Sequence, residues 1–403
     1  MLLFTQHLGI GGLERLVLNL AKDLRSQGKW KPFVFSHDSA ENAQNYSSRS
    51  LVGEFLKHDI PVDALQKGAG FSLHTVYRLL RCIHVHEIDI IHSHDMGTLI
   101  YAVFAKLLTL GRVRLVHTQH SFVHLARHKR YALYEKFFTR FVDTLTVVNE
   151  SLVSSYEALG VSRNKIQVIS NGVTFPKQSL ITFEEKIQLR RELLAELRAS
   201  QKLASLRAPL PVLVVKDHWL LYMARLHSVK GQRKAAELWS ALNPAIRRTS
   251  LLWIVGPEAQ SGEQDAVLKA FEAVPNRDRV IFIDGTQNPQ QWLNASDLSI
   301  SCSQVEGMPM GPIEALGSGL PVVLSEIEGH EFLRNQAKLF PLSDLQKGAA
   351  AIESTLSVPD YRSPLYYYHL WRASRGIRQE YSLAAMTEKY AQAYSTHATG
   401  KST

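Results

Sequence analysis

Apolar positions along this chain switch repeatedly between two periods. Met1 to Gln6 is a short apolar run, and Gly9 to Gly12 makes a glycine loop. Apolar residues then recur at Leu13, Leu16, Val17, Leu20 and Leu24, which is the spacing of one helix face. The same reading predicts strands at Pro32–Ser36, Ile88–His92, Val113–Thr118 and Thr144–Val148, with helices at Leu73–Val85 and Thr98–Leu110. Near Ile169–Val173, ISNGV reads as a strand end and turn. The rhythm restarts with strands at Trp219–Ala224, Leu251–Val255, Val280–Asp284, Leu298–Ser301 and Leu320–Leu324. Helices are predicted at Gln232–Leu242, near Pro289–Leu293 and from about Pro312, and Tyr366–Tyr394 reads as a helical tail broken around Ser382.

Short apolar strands separated by helices indicate parallel sheets covered on both faces, an α/β, doubly wound architecture. A chain of 403 residues is long for one core, so two domains are expected. The stretch Phe175–Asp217 breaks the alternation with a charged helical run, Glu184–Arg198, and two prolines, Pro209 and Pro211. The expected division is a first domain at 1–175, a connection at 176–217, a second domain at 218–380 and a terminal helix at 381–403.

Hydrophobic residues make up 45% and charged residues 21% of the chain, ordinary values for a globular protein. No run approaches the roughly 20 apolar residues that span a bilayer. MLLFTQHLGIGG lacks the basic start and small-residue cleavage site of a signal peptide, so the cytoplasm is the expected compartment. Cys82 and Cys302 alone make neither a disulfide framework nor a cysteine zinc site. A formal charge of +9 favours an anionic partner, either a phosphorylated ligand or an acidic membrane surface. The sequence carries no Cys/His finger or RNP-type motif, so nucleic acid is not expected.

In open parallel sheets, ligands bind beyond the carboxyl ends of the strands. Gly9–Gly12, His92–Asp95, Thr118–His120, Arg225–Lys230, Gly256–Pro257 and Glu306–Pro312 all follow predicted strands, and two sheets facing each other would join these loops in a cleft. Glu306 and Glu314 bracket the turn Gly307–Pro312, with Glu314 expected in the first turn of the following helix. Free amides at such a helix start attract anions, and flanking carboxylates suit ligand hydroxyls. The plain alternative is a loop with two solvated acids. Arg225 and Lys230 could grip a diphosphate, or form a solvated basic loop. Gly11 and Gly12 let backbone approach a ligand, or simply make a tight turn. Among the 17 histidines, His120 is the first candidate for hydrogen bonding or proton transfer and His94 the second. No helical HExxH pair is present, so no protein-bound catalytic metal is expected. Residues 121–141 mix Arg127, Lys129, Arg130, Lys136 and Arg140 with aromatics. Tyr134, Phe137, Phe138 and Phe141 read as a core stripe, with the basic residues available to anionic lipid headgroups or an acceptor.

Together these residues resemble the retaining GT-B glycosyltransferases, above all glycosyltransferase family 4. Glu306 and Glu314 match the family's E-x7-E pattern, and ARLHSVKG matches its G-R-L-x-x-x-K-G element with Ala224 where glycine is usual. SNGV at 170–173 and IVGP at 254–257 are further landmarks. The resemblance implies a GT-B fold: two Rossmann-like domains facing across a cleft, acceptor in the first and nucleotide-sugar donor in the second, with the last helix crossing back to the first domain. It implies that Arg225 and Lys230 hold the donor diphosphate and Glu314 the ribose. Glu306 and the amides of Gly307, Met308, Pro309 and Met310 would position the donor sugar, as far as proline allows. His120 would contact the sugar, Gly12 would approach the phosphates, and Gly11 and Gly256 would lie beside the donor. His94 and Arg127 are acceptor-side candidates. Met308, Pro309 and Met310 depart from the family's usual Phe-Gly-Leu type of loop.

The expected activity is retaining transfer of a sugar from a nucleotide-diphosphate sugar, a UDP-sugar first, with no metal cofactor. The expected acceptor is a saccharide or lipid-linked saccharide in bacterial cell-surface polysaccharide or lipopolysaccharide synthesis, at the inner face of the membrane. The alternatives are a nucleotide-sugar epimerase of GT-B fold and a non-catalytic nucleotide-sugar-binding subunit.

Overall fold

The computed structural model describes residues 1–9, 11–37, 50–68, 70–121, 129–177, 181–199, 215–286, 288–358 and 363–395. These fall into two compact units, one of Met1–Thr174 with Tyr381–Thr403 and the other of Phe175–Glu380.

The first unit is built on seven parallel strands: β1 (Leu2–Thr5), β2 (Phe33–Ser36), β3 (Val62–Ala64), β4 (Ile90–His94), β5 (Arg114–Gln119), β6 (Thr144–Val147) and β7 (Ile166–Val168). Their order is β3-β2-β1-β4-β5-β6-β7. The order reverses between β1 and β4, which is where a doubly wound sheet opens its binding crevice. The predicted helix at Leu73–Val85 is present, capped by Ser72, whose Oγ accepts the Thr75 amide at 3.2 Å. β4 lies two residues beyond its predicted span and includes His94: its pairing with β5 opens where the Arg114 amide donates to the Asp89 carbonyl at 2.9 Å and runs to His94 opposite Thr118. The terminal helix Leu383–Ser395 packs on the helix Gly12–Ser26 within this unit. It is locked by backbone bonds between Val173 and both Tyr381 and Leu383. The tail is broken at Tyr381–Ser382 and preceded by the helix Pro364–Glu380.

The second unit holds six parallel strands: β8 (His218–Met223), β9 (Ser250–Val255), β10 (Val280–Ile283), β11 (Leu298–Ser301), β12 (Val322–Ser325) and β13 (Lys338–Phe340). Their order is β10-β9-β8-β11-β12-β13, with the reversal between β8 and β11. Side-chain alternation explains the two covered faces. Leu220, Tyr222, Leu252 and Ile254 enter one core with Trp239 and Phe271, whereas Trp219, Leu221, Leu251 and Trp253 enter the other with Leu193, Leu197 and Trp292.

The described residues of the stretch 176–217 cluster with the second unit. Its helix, Phe183–Ala199, buries Arg190, which donates to the Ala295 carbonyl at 2.7 Å and to Asp297 at 2.6 Å. Lys186 reaches the Ser296 carbonyl at 2.7 Å and Asp297 at 3.3 Å. Burial by itself would raise the Asp297 pKa, but Arg190 and Lys186 override it and hold the carboxyl well below its usual range. The charge pattern of this segment therefore serves a buried ion cluster, which a helical period alone does not reveal.

Candidate functional site

In the second unit, the loops that follow β8 and β11 meet at the strand-order reversal. Lys230 and Glu306 converge there: Nζ donates to Oε1 at 2.7 Å and to Oε2 at 2.8 Å. Ser303 Oγ donates to the same Oε1 at 2.7 Å. The pair is mostly shielded, with 23% of the Lys230 and 11% of the Glu306 side chain exposed. Water therefore screens it less than a surface pair.

Several groups hold Lys230 in place. The short turn Ser228–Lys230 ends at Gly231, whose φ of 73° is left-handed. A side chain at 231 would put Cβ 1.9 Å from the Cys302 carbonyl oxygen, so only glycine fits. The Gln304 amide donates to the Val229 carbonyl at 2.8 Å, tying the two loops together. Buried Tyr222, at the penultimate position of β8, accepts the Cys302 amide at 2.8 Å and donates to the Lys230 carbonyl. Arg225 is exposed, and its guanidinium has no ion pair or hydrogen bond among the described residues, leaving it available to an anion.

The helix after Glu306 runs Met310–Gly317, capped by Pro309. It begins two residues before the predicted start, so Glu314 lies in its second turn rather than its first. The loop reaches the helical conformation as soon as Pro309 is passed, and Pro312 is accommodated in the first turn, where its missing N–H costs nothing. A Cβ on Gly311 would stand 3.9 Å from the Met223 carbonyl, so this helix start adjoins the end of β8. Glu314 is half-buried, and Met308 and Pro309 are buried, while Gly307 and Met310 are half-buried. Gly256, after β9, donates its amide to the Ile283 carbonyl at 3.0 Å and is buried.

The first unit has its own cluster at the carboxyl ends of β4 and β5. His94 Nδ1 and His120 Nε2 are 3.1 Å apart, and the His120 amide donates to Asp95 Oδ1 at 3.1 Å. Asp95 has a φ of 60°, an unfavourable value for a non-glycine residue and the kind of strain that collects at functional sites. Burial, reinforced for His94 by the neighbouring rings, pushes the pKa of both histidines down and keeps them neutral; Asp95 partly opposes this at His120. Beneath them His92 is fixed by Tyr394 at 2.7 Å and Thr118 at 2.6 Å. His117 faces away, with Ser93 at 2.9 Å and Glu135 at 3.4 Å. Gly11 is the extended cap of the helix Gly12–Ser26, and Gly12 is exposed with open space at its Cα.

The aromatic stripe expected at 134–141 is only partly internal. Phe137 is 49% and Leu133 69% exposed, whereas Glu135 is fully buried, accepting from Tyr156 at 2.6 Å. The inward face is therefore set by a buried carboxylate–phenol bond, and Phe137 turns outward. Arg127 lies outside the described residues. Among the described residues no group of three or more His, Cys, Asp or Glu side chains could hold a metal ion, and no helix is long and apolar enough to cross a membrane. Sequence reasoning missed Tyr222 and Ser303, and included Gly231 only as the last residue of the ARLHSVKG element.

The glycosyltransferase family 4 model matches residues 10–175, and the model for glycosyl transferases group 1 matches residues 217–357. An N-acetyl-alpha-D-glucosaminyl L-malate synthase of Bacillus anthracis is 21% identical over 330 residues, covering 81% of this chain and 78% of that protein. Among solved structures, HepE of Anabaena in complex with UDP and glucose superposes with a TM-score of 0.74 at 19% identity, covering 98% of this chain and 99% of that one. The lipopolysaccharide outer core galactosyltransferase WaaB superposes at 0.69 with 17% identity, covering 98% of both chains. With family models spanning both units and two sheets of the GT-B pattern, the chain belongs to the GT-B glycosyltransferases of family 4 type.

Proposed function

We propose that this chain moves a sugar, with retention, from a nucleotide-diphosphate sugar to a saccharide or lipid-linked acceptor in the synthesis of a bacterial cell-surface glycan. The observation that carries this reading is the Lys230–Glu306 pair at the strand-order reversal of the second unit, with Arg225, whose side chain has no partner among the described residues, in the same loop as Lys230. Such a site offers two cations to a pyrophosphate and a carboxylate to sugar hydroxyls. UDP is the first choice of nucleotide, supported by the UDP and UDP-glucose complexes of the similar HepE.

In the proposed reaction, the acceptor hydroxyl attacks the anomeric carbon from the face the diphosphate leaves. The C1–O bond breaks with its electron pair passing to the β-phosphate oxygen, and that oxygen takes the acceptor proton. A glycoside and a nucleoside diphosphate result. Lys230 and Arg225 stabilise the charge that grows on the leaving oxygen. Glu306 and the amides following it hold the sugar, Glu314 the ribose, and Gly256 lies at the nucleotide. In the first unit, Gly12 has open space at its Cα and Gly11 packs against Glu14; His120 is assigned to the sugar and His94, buried behind it, to the acceptor side. No metal is assigned to any step.

A thermal-shift screen across UDP, GDP, ADP and their sugars tests the donor. A ligand at 100 times its dissociation constant stabilises the fold by about 2.7 kcal/mol, so the matching nucleotide will stand out. No shift with any of them overturns the reading. Consumption of a nucleotide sugar without acceptor would instead mark an epimerase, and tight binding without transfer a non-catalytic subunit. Contact with an anionic membrane is supported by one exposed face, where Arg130, Leu133, Lys136, Phe137 and Arg140 lie together. Sedimentation with vesicles containing phosphatidylglycerol, but not with pure phosphatidylcholine, is expected.

A further inference from the structure

His330 lies just past β12, in the short helical turn Glu328–Leu333, and is fully buried. Its Nδ1 is 2.7 Å from the Ser325 carbonyl oxygen. A carbonyl only accepts, so Nδ1 carries the hydrogen, and in the neutral ring Nε2 is the lone-pair side. Nε2 is buried and has no hydrogen-bond partner among the described residues. Buried polar atoms are nearly always paired, and the exceptions need a reason.

The surroundings point to the donor site. Ser325 Oγ donates to the Ser303 carbonyl at 2.6 Å, and Ser303 Oγ donates to Glu306 at 2.7 Å. The preceding residue, Gly329, lies so close to Glu306 that a Cβ there would stand 2.3 Å from its carbonyl oxygen. Burial lowers the pKa of the ring, and the two charged side chains that act on it are Glu306 and Lys230, in opposite senses. A neutral ring is therefore linked to the pair assigned to the donor by one chain, from Nδ1–H to the Ser325 carbonyl, from Ser325 Oγ to the Ser303 carbonyl and from Ser303 Oγ to Glu306.

We infer that His330 is a donor-recognition residue: Nε2 accepts a hydrogen bond from a hydroxyl of the donor sugar, while Nδ1–H holds the Ser325–Ser303 support of Glu306. The inference rests on the donor-site reading above and assigns to it a residue outside the E-x7-E pair and the basic loop. Glu306 accepts hydrogen bonds from sugar hydroxyls but offers none. His330 adds a second acceptor, fixed by its other nitrogen, so that two hydroxyls are read rather than one.

The test compares wild type with His330→Asn, whose amide nitrogen replaces Nδ1–H while nothing replaces Nε2, and with His330→Phe, which removes both. Calorimetry is run with UDP, GDP and ADP and with the glucose conjugate of each. Wild type is expected to bind one conjugate more tightly than its bare diphosphate. His330→Asn is expected to keep the diphosphate affinity within about twofold and lose about tenfold for the conjugate, a step of about 1.4 kcal/mol. Nitrogen-15 spectra of the wild-type imidazole are expected to show Nε2 unprotonated, shifting when the conjugate binds but not when the diphosphate binds. That readout stands even if a variant fails to fold. Wild-type conjugate affinity in His330→Asn, or an unmoved Nε2 resonance in the saturated wild type, overturns the role of His330 alone. Wild type that binds no conjugate and no diphosphate overturns the donor-site reading, and this inference with it.

Discussion

The phenol of Tyr222 donates to the backbone carbonyl of Lys230 while accepting the amide of Cys302 at 2.8 Å. One hydroxyl thus ties the loop after β8 to the loop after β11, the two segments that carry Lys230 and Glu306. Tyr222→Phe leaves a buried carbonyl and a buried amide short of a partner. Losing such bonds costs about 1–3 kcal/mol. A lower melting temperature with a larger proportional loss of donor affinity is expected, and an affinity matching wild type would show that the hydroxyl does not align the loops.

Lys230→Ala removes the cation that both Glu306 oxygens share. If it stabilises the leaving diphosphate, turnover falls by about 100–1,000-fold, the range for removing one preorganised electrostatic partner. Stability is expected to change less than turnover, because Glu306 keeps the hydrogen bond from Ser303 when Lys230 is gone. Steady-state rates and a melting curve on the same preparation separate the two effects, and undiminished turnover would remove Lys230 from the mechanism.

Gly231→Ala forces a side chain into a left-handed backbone and against the Cys302 carbonyl. The left-handed conformation alone costs a non-glycine residue about 1–2 kcal/mol. The second unit should melt earlier and bind nucleotide more weakly, whereas Gly12→Ala, with open space at its Cα, should leave melting unchanged. Equal melting temperatures for both variants would contradict the close approach at 231.

Asp297 answers two buried cations, Arg190 and Lys186, and accepts the Trp219 amide at 2.9 Å. Asp297→Asn leaves those cations without their counter-charge. Breaking a buried pair in this way costs about 3–5 kcal/mol. Denaturant unfolding followed by tryptophan fluorescence reports this directly, since Trp219, Trp253 and Trp292 share that core. A loss below about 1 kcal/mol would mean that water reaches the cluster.

Acid should weaken the first unit before the second. Burial lowers the pKa of His37 to about 3 and that of His92, His94 and His120 below the ordinary value, all in the first unit. In the second unit His330 is shifted in the same direction. A histidine with a depressed folded pKa binds its proton in the unfolded chain first. Its stabilisation is complete above about pH 6.5 and is lost as pH falls below that value toward the folded pKa, at up to about 1.4 kcal/mol per pH unit for each group. Hydrogen exchange at pH 7.5 and 5.0 should show the larger loss of protection in residues 1–174, and equal losses would refute the assignment.

Much of this molecule was legible in the apolar pattern because parallel strands buried on both faces read as short apolar runs. Leu298–Ser301 and Leu73–Val85 were found to the residue. Short elements with mixed patterns, such as β3 with its charged Asp63 and β13 with exposed Lys338, were not. Their places come from pairing with a neighbouring strand, which no local window contains.

Residues 224–231 and 305–323 by themselves determined where the second unit would keep its charged chemistry, because loops after parallel strands must open on one edge of the sheet. What only the tertiary structure decided is which groups meet there. Lys230 and Glu306 are 76 positions apart, and Tyr222 and Cys302 are 80 apart. They are joined by the strand order β8-β11, a property of sheet assembly and not of spacing. That no described residue reaches His330 Nε2 is likewise a fact of burial and not of spacing.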